Sequence, residues 1–252
     1  MRRKALSEKI SVIVPAFNEK RSLADLVRGI MRTLSAYSFD HELVIVADGS
    51  TDGTSELADQ LARDGFVKVI HHSFNRGKSM ALRTGFRLST GSIQVMMDAD
   101  FQYLPDEIPR ILAPIIDGQK DVVNGRRTAR KDKRTRLIAS EIYNWLLRRL
   151  FRMNACYDNN SGFKAFRREV FETIAHMLRK DFHRLLIPMA AHSGFRIGEV
   201  NITHSPRTTG RSKYSSPKRL VSGLLDILLF RLQLALRQEP ILTSAYPWKH
   251  RT

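Results

Sequence analysis

The first half of the chain alternates short apolar runs with segments whose apolar residues recur at helical spacing. Runs of mainly apolar residues predict buried strands over residues 10–14, 42–46, 67–70 and 92–97. Apolar positions three and four residues apart predict helices over residues 19–36, 51–63, 77–88 and 106–116. Strands that alternate with helices of this length form parallel βαβ units. The pattern therefore predicts an α/β fold, with a mostly parallel central sheet and helices on both faces.

Polar residues occupy the positions directly after each predicted strand. In open α/β sheets, ligands bind outside the carboxyl ends of the strands, so these residues are the candidates for function. The four segments are Pro15–Glu19, Ala47–Thr54, Asn75–Ser79 and Asp98–Asp100. Each of them alone could be an ordinary turn or helix cap. Together they supply carboxylates that can bind a base or ribose, and cationic side chains that can hold a diphosphate.

Two carboxylates, Asp98 and Asp100, lie one residue apart where the fourth predicted strand ends. Their repulsion and desolvation cost stability unless a cation lies between them. Mg²⁺ and Mn²⁺ prefer oxygen ligands, and proteins typically hold Mg²⁺ with one or two carboxylates plus substrate phosphates. A solvated turn is the alternative explanation, because Asp is common at strand ends. The pair is a candidate site for Mg²⁺ or Mn²⁺ beside a diphosphate.

The chain of 252 residues carries a net charge of +17 within an otherwise ordinary globular composition. This charge predicts an anionic partner, such as nucleic acid, an anionic membrane surface or a phosphate-bearing substrate. The single Cys156 excludes an internal disulfide and a cysteine-based zinc site, and is typical of a reducing compartment. The basic start does not resemble a signal peptide, and no apolar run reaches about 18 residues, so no membrane span is expected.

The polar segments of the first half, together with two motifs in the second half, resemble family-2 glycosyltransferases of the GT-A fold. Asp158–Lys164 is similar to that group's Asp-x-x-Ser-Gly-Phe segment, and Arg207–Tyr214 to its Arg-x-x-Gly-x-Ser-Lys-Tyr segment. Over residues 10–230 the chain resembles polyprenyl-phosphate sugar synthases, such as dolichyl-phosphate mannose synthase. The resemblance implies metal-dependent transfer of a hexose from a nucleotide-sugar to a dolichyl or undecaprenyl phosphate, with inversion at the sugar.

The resemblance also implies a nucleotide-sugar site at the strand ends. Asp98 and Asp100 would engage the metal and the diphosphate, with Gln102 as a third metal ligand. Asp48 would contact the base or the ribose, and Asp158 would orient the sugar. The other residues implied for the nucleotide are Pro15, Phe17, Glu19, Gly77 and Lys78, with Phe17 standing where the family often has Tyr.

The segment 126–152 is strongly basic, which supports a phosphate-bearing acceptor independently of the resemblance. It carries ten Arg and Lys residues against only Asp132 and Glu141. A solvated helix face and loop would explain most of these charges. Arg136 and Ser140 are one helical turn apart and so share a face, and in the family an Arg and a Ser at this spacing face the lipid phosphate. The acceptor-phosphate residues that the resemblance implies are Arg127, Arg136, Ser140, Arg207 and Lys213.

Residues 219–237 are apolar, but Asp226 and Arg231 interrupt them. A span would bury both charges at about 2.5–3.5 kcal/mol each near the bilayer centre. We therefore predict an amphipathic helix within residues 216–238 that lies on a membrane surface, on a partner or on its own domain. The expected location is the cytoplasmic face of a membrane, by peripheral association or through a membrane subunit. The remaining predicted units are a basic tail (1–9), a GT-A catalytic domain (10–215) and a C-terminal tail (239–252).

Other classes of protein share some of these features. A nucleotidyltransferase also combines a nucleotide, a metal and an Asp pair, but it usually has a Gly-rich, Arg-containing loop where this chain has Pro15–Glu19. A nucleic-acid-binding protein would account for the charge, but it would not need Asp98 and Asp100 at the end of a buried strand. A family-2 glycosyltransferase with a non-lipid acceptor is a further alternative. We expect a glycosyltransferase and no nucleic-acid partner.

Overall fold

The central element of the computed structural model is a seven-stranded sheet with helices on both faces. The structure describes residues 8–63, 65–128, 134–151, 153, 156–177, 182–205 and 217–236. The strands are β1 (Ile10–Ala16), β2 (His41–Asp48), β3 (Val67–His72), β4 (Ile93–Met96), β5 (Val122–Thr128), β6 (Lys164–Arg167) and β7 (Ile197–Thr203). The helices are α1 (Lys20–Ala36), α2 (Thr54–Leu61), α3 (Lys78–Leu88), α4 (Ile108–Ile116), α5 (Arg134–Phe151), α6 (Arg168–Ile174), α7 (Leu186–His192) and α8 (Pro217–Leu236).

One antiparallel strand interrupts an otherwise parallel sheet. The strand order is β3-β2-β1-β4-β6-β5-β7, and β6 runs antiparallel to both of its neighbours. Lys164, the first residue of β6, pairs with Met96 at the end of β4 and with Asn124 in β5. The loop that precedes β6 therefore lies at the same edge of the sheet as the loops that follow the parallel strands. This topology brings the second-half motif at residues 158–164 to the first-half polar segments.

Two apolar cores cover the two faces of the sheet, which is why the central strands are apolar on both sides. Alternate residues of a strand point to opposite faces, so Val12 and Val14 belong to one core and Ile13 to the other. The first core is completed by α1 and α4. The second is completed by α3 and by the helices of the second half, from α5 to α8. The polar loops lie at the edge of the sheet, between the two cores.

One face of α8 packs on the protein, and the opposite face is exposed. Ile227, Phe230 and Leu234 are buried, and the ring of Phe230 stacks on Phe151 of α5 with centroids 5.4 Å apart. Within the described part of the chain, no helix is long and apolar enough to cross a membrane. The other face of α8 exposes Leu225, Leu228, Leu229 and Leu232.

The predicted α/β fold with a mostly parallel sheet is confirmed, and the strands and helices of the first half lie within a few residues of their predicted bounds. The helix predicted from residue 51 begins at Thr54, because Gly53 before it has a φ of 86° and ends a turn. β6 has the sequence Lys-Ala-Phe-Arg, in which charged residues flank only two apolar ones, so it shows no apolar run and is not predicted. The division of the chain into domains stays a prediction.

Candidate active site

Asp98 lies just beyond β4, and its carboxylate forms an ion pair with the ammonium of Lys78 at the start of α3. The two side chains remain 27% and 18% exposed. Gly162, in the loop before β6, packs so closely that a Cβ built on it would overlap this carboxylate. The pair thus lies where loops from three parts of the sheet meet. Its ammonium can bind a phosphate, and its carboxylate can bind a metal ion.

Asp48, at the end of β2, is 2% exposed and holds the next loop in place. Its Oδ1 accepts from the backbone N–H of Arg76 at 3.0 Å, and its Oδ2 from that of Gly77 at 2.8 Å. The Nδ1 of His72 lies 2.6 Å from Oδ1. Both carboxylate oxygens therefore have partners within the protein. These bonds favour a positioning role for Asp48, and its predicted contact with the base or ribose stays a prediction.

Hydrogen bonds donated by backbone N–H groups connect the loop after β1 to the loop after β2. Asn18 has a φ of 54°, and its Oδ1 accepts from the N–H of Thr51 at 2.8 Å. The N–H of Glu19 donates to the hydroxyl of Thr54 at 2.9 Å, just before α1 begins. Phe17 and Glu19 are partly buried in this loop. The arrangement orders one wall of the predicted nucleotide site, which also includes Pro15 on β1.

Asp100 and Gln102 follow Asp98 in a tight turn. The Oδ1 of Asp100 accepts from the backbone N–H of Gln102 at 3.2 Å, and Phe101 between them has a φ of 56°. The side-chain nitrogen of Gln102 donates to the carbonyl of Ser205 at 3.3 Å. The amide is thus held through its nitrogen, and its oxygen is the atom that can act as a metal ligand.

The residues present fit a shared metal site rather than a closed protein cage. In the described ranges, no group of three or more His, Cys, Asp or Glu side chains is placed to hold a metal ion. Two partly buried carboxylates one residue apart match the way Mg²⁺ is held jointly by protein and substrate phosphates. Asp98, Asp100 and Gln102 would hold such an ion. The assignment of these three ligands stays a prediction.

Asp158 and Arg127 form a buried bidentate ion pair. The Nε of Arg127 donates to Oδ2 of Asp158 at 2.7 Å, and its Nη2 donates to Oδ1 at 2.7 Å. The exposed fractions of the two side chains are 14% for Arg127 and 7% for Asp158. This planar two-bond geometry fixes both groups more tightly than a single contact would. Two residues that the sequence assigned to different substrates, the sugar and the acceptor, are partners of each other.

Glu199 on β7 holds the loop before β6, a role that no pattern in the sequence predicts. Its carboxylate accepts from the backbone N–H of Tyr157 at 2.9 Å and of Asp158 at 3.0 Å, and from the amide of Asn124 at 2.8 Å. Burial, together with this carboxylate, raises the pKa of the Cys156 thiol well above its ordinary value. Cys156 is therefore a buried neutral thiol. Only the sheet register, which pairs Asn124 with Glu199, identifies this carboxylate as part of the site.

Two more groups missed by sequence analysis lie between the ion pairs. Lys164 is fully buried, and its ammonium donates to the carbonyl of Ser161. Burial lowers the pKa of Lys164 to about 8, and the charges of Lys78 and Arg127 act in the same direction. The hydroxyl of Tyr103 accepts from the N–H of Gly162 at 2.7 Å, and burial raises its pKa. Both groups hold the 158–162 loop in place through these hydrogen bonds.

Ser140 of α5 is linked to the same loop through a buried amide. The Nδ2 of Asn144 donates to the hydroxyl of Ser140 at 3.3 Å, while its Oδ1 accepts from the backbone N–H of Asn159 at 3.0 Å. Ser140 is partly buried. Arg136 is part of α5, but its side chain is not among those described. Arg207 and Lys213, also predicted to bind phosphate, lie outside the described residues.

Comparison with known proteins places this geometry in a family. The model of the family "Glycosyl transferase family 2" matches residues 11–175. The chain is 31% identical over 223 residues to the undecaprenyl-phosphate 4-deoxy-4-formamido-L-arabinose transferase of Proteus mirabilis, covering 87% of this chain and 67% of that protein. It is 32% identical over 240 residues to the enzyme of the same name from Salmonella choleraesuis, covering 94% and 72%. The resemblance to polyprenyl-phosphate sugar transferases is thereby confirmed.

Solved structures with the same fold have lower sequence identity. A mannosyltransferase from Pyrobaculum calidifontis, solved with GDP-Man and Mn²⁺, superposes with a TM-score of 0.64 at 20% identity, covering 93% of this chain and 66% of that one. Mannosyl-3-phosphoglycerate synthase from Rubrobacter xylanophilus gives 0.68 at 15% identity, covering 98% and 80%. At these identities the likeness shows the fold. The chain belongs to glycosyl transferase family 2 and is a glycosyltransferase of the GT-A fold.

Proposed function

We propose that this glycosyltransferase moves a sugar from a nucleotide-sugar to a polyprenyl phosphate, with inversion at the sugar and with Mg²⁺ or Mn²⁺ bound. The observation that carries the proposal is the likeness, over 94% of the chain, to an enzyme named for transfer to undecaprenyl phosphate. The predicted hexose and the formamido-arabinose of that relative are both candidates for the sugar. The partly exposed pair of Lys78 and Asp98 at the sheet edge supplies a place for the diphosphate.

On the donor side, the protein's task is to hold a diphosphate as it becomes a leaving group. Lys78 is positioned for this, because its ammonium lies at the edge where the strand-end loops meet. Asp48 keeps the neighbouring backbone at Arg76 and Gly77 in place through two hydrogen bonds. When bound at Asp98 and Asp100, a divalent ion supplies Lewis-acid stabilisation of the charge that develops on the diphosphate. Fixed charges of this kind act without reorganisation during the reaction.

On the acceptor side, a phosphate needs positioning more than it needs a base. A phosphate monoester is already an anion near neutral pH, so deprotonation by the protein is not required. The gain comes from holding its oxygen in line with the anomeric carbon. Asp158 is locked by Arg127, which suits a role in orienting the sugar rather than in taking a proton. Arg136, Ser140, Arg207 and Lys213 remain the proposed phosphate contacts.

The exposed face of α8 supports peripheral association with a membrane, which is where a polyprenyl acceptor lies. Four exposed leucines project from the face opposite the packed one, and Arg231 on the same helix is exposed. Apolar burial with electrostatic attraction is how amphipathic helices bind anionic surfaces. We propose that the protein works at the cytoplasmic face of a membrane through this helix. A membrane subunit that covers the same leucines is the alternative.

A ligand screen tests the proposed function. A ligand that binds the native state raises its stability, so nucleotide-sugars are screened by thermal shift with and without Mn²⁺. The screen includes nucleotide-linked hexoses and a nucleotide-linked formamido-arabinose. We expect one class to raise the melting temperature only when Mn²⁺ is present. If no nucleotide-sugar shifts the transition, while DNA binds in a salt-dependent manner, the basic nucleic-acid-binding alternative gains support and the proposal fails.

A further inference from the structure

Two arginine side chains stack on the ring of a tyrosine in the loop before β6. The guanidinium carbon of Arg126 lies 4.9 Å from the centroid of the Tyr157 ring, and that of Arg148 lies 4.6 Å from it. Tyr157 is 49% exposed. Arg126 lies on β5, Arg148 on α5 and Tyr157 in the loop between α5 and β6, so the fold brings the three side chains together. They form a basic surface directly next to Asp158.

The ring is a platform whose backbone is held in place by hydrogen bonds. The backbone N–H of Tyr157 lies 2.9 Å from both carboxylate oxygens of Glu199, which in turn is held in β7. Arg126 is anchored by the pairing of β5 with β7, where it lies opposite Asn201. Arg148 is held by the last turn of α5. Regular secondary structure therefore fixes the backbone of both arginines, and stacking on the Tyr157 ring orients their guanidinium groups.

The two guanidinium groups keep their hydrogen-bonding edges available. A guanidinium stacked on an aromatic ring still presents its N–H groups in the plane, where they match the oxygens of a phosphate. Within the described residues, neither Arg126 nor Arg148 forms an ion pair with a carboxylate. Their neighbour Arg127, by contrast, has its Nε and Nη2 bound to Asp158. Two pre-oriented cations without acidic partners are the elements of an anion site.

We propose that Arg126 and Arg148, stacked on Tyr157, form a binding site for a phosphate group beside Asp158. Nothing in the motifs of the sequence assigns this role to any of the three residues. The phosphate has two possible sources. One is the phosphate of the polyprenyl acceptor, an assignment that rests on the proposed function. The other is the headgroup of an anionic membrane lipid, which needs only that the protein meets a membrane.

The test measures binding of the full chain to vesicles by cosedimentation, so it does not depend on catalysis. The vesicles are pure phosphatidylcholine, phosphatidylcholine with undecaprenyl phosphate, and phosphatidylcholine with phosphatidylglycerol at equal charge. The variant R126A/R148A is compared with R63A/R87A. Arg63 and Arg87 are exposed and lie near the ends of α2 and α3 that are remote from the strand-end loops, so this control removes equal charge elsewhere. Tyr157→Phe keeps the platform, and Tyr157→Ala removes it.

We expect R126A/R148A to weaken binding about five- to tenfold, the scale of charge-assisted bonds at a partly exposed site. Tyr157→Phe should bind like the wild type, and Tyr157→Ala should lose part of the affinity. A loss confined to undecaprenyl-phosphate vesicles identifies the acceptor phosphate, and an equal loss on both charged vesicles identifies lipid headgroups. The proposal is overturned if R126A/R148A loses no more affinity than R63A/R87A on either charged vesicle. Because transfer is not measured, an inactive protein would still give a clear result.

Discussion

The two halves of the candidate site hold their charges in different ways. The donor half comprises Lys78, Asp98 and Asp100. Its ion pair is partly exposed and joins the start of α3 to the loop after β4. In the acceptor half, which comprises Arg127, Asp158 and the loop before β6, the ion pair is bidentate and buried. A partly exposed pair is partly screened by water and can exchange its partner for a ligand at a smaller cost than a buried pair. A buried pair is a fixed part of the structure, because separating its two side chains leaves an unpaired charge away from water.

This difference suits the two halves to different tasks. Under the proposed function, the donor half accepts and releases a charged diphosphate in every cycle, which a partly solvated ammonium and carboxylate can do. The acceptor half must keep its shape, and Glu199, Asn124 and Asn144 add hydrogen bonds that hold the same loop. We therefore expect substitutions in the donor half to reduce activity, and substitutions in the acceptor half to reduce stability.

The largest effect is expected from Arg127→Met. The substitution leaves the carboxylate of Asp158 buried without its main partner, which typically costs about 3–5 kcal/mol. Lys78→Met removes the cation of the partly exposed pair and should cost less, about 1 kcal/mol. Urea denaturation of both variants gives the two free energies of unfolding. Equal losses would show that the two pairs do not differ in the way their burial suggests.

Asp98→Asn should reduce transfer by about 10²–10³-fold, the scale seen when one electrostatic stabiliser of a developing charge is removed. Asp100→Asn should act in the same direction. Because Asp98 is partly exposed, we expect the free energy of unfolding to change little. Asp25→Asn, which disrupts the exposed pair with Arg28 on α1, is the matched control. Full activity of both active-site variants would rule out a metal-binding role for this Asp pair.

Lys164→Met should change how stability depends on pH. The pKa of Lys164 is about 8 in the folded protein against an ordinary value of 10.5, so the unfolded chain binds the proton more tightly. Lys164 thus destabilises the native state at neutral pH, and this cost shrinks as the pH rises from about 8 to about 10.5. The stability of Lys164→Met relative to the wild type should therefore fall by about 2 kcal/mol between pH 7 and 9.5.

Lys68→Met is the control for this titration. Lys68 also donates to a backbone carbonyl, that of Leu88 at 2.8 Å, but it does so at the exposed surface. Comparison with this substitution separates the effect of removing a buried amine from that of removing an exposed one. A flat pH dependence for Lys164→Met relative to the wild type would mean that the buried amine does not titrate as described.

The smallest effect concerns the exposed face of α8. Leu228→Ser and Leu232→Ser should weaken binding to anionic vesicles several-fold each, because each removes apolar surface that the bilayer would bury. Both leucines are exposed, so stability should not fall. Leu88→Ser on α3 removes a similarly exposed leucine from another surface. Wild-type binding should also weaken with salt. Vesicle binding that is unaffected by these variants would assign the leucines to a protein partner.

The placement of the donor-half residues at one sheet edge was predictable from the sequence, and much of the arrangement of the acceptor half was not. Parallel strands direct their following loops to one edge, so Asp48, Lys78 and Asp98 were identified from local patterns. The acceptor half depends on β6, which has charged residues at both ends and no apolar run, and on contacts such as that between Asp158 and Glu199, 41 residues apart. The resemblance found Asp158 and Arg127 separately. It could not show that they are partners, because partnership is a property of the packed chain.

The most direct test of the account is transfer itself. The purified full chain is incubated with undecaprenyl phosphate and with the nucleotide-sugar that the thermal-shift screen selects, carrying a radiolabel in the sugar. Label is then counted in the organic phase, with Mn²⁺ and with excess chelator. The account predicts metal-dependent, time-dependent transfer of label to the lipid, with release of the nucleoside diphosphate. Failure of label to enter the organic phase, when the nucleotide-sugar demonstrably binds, would contradict the assignment of a polyprenyl-phosphate acceptor.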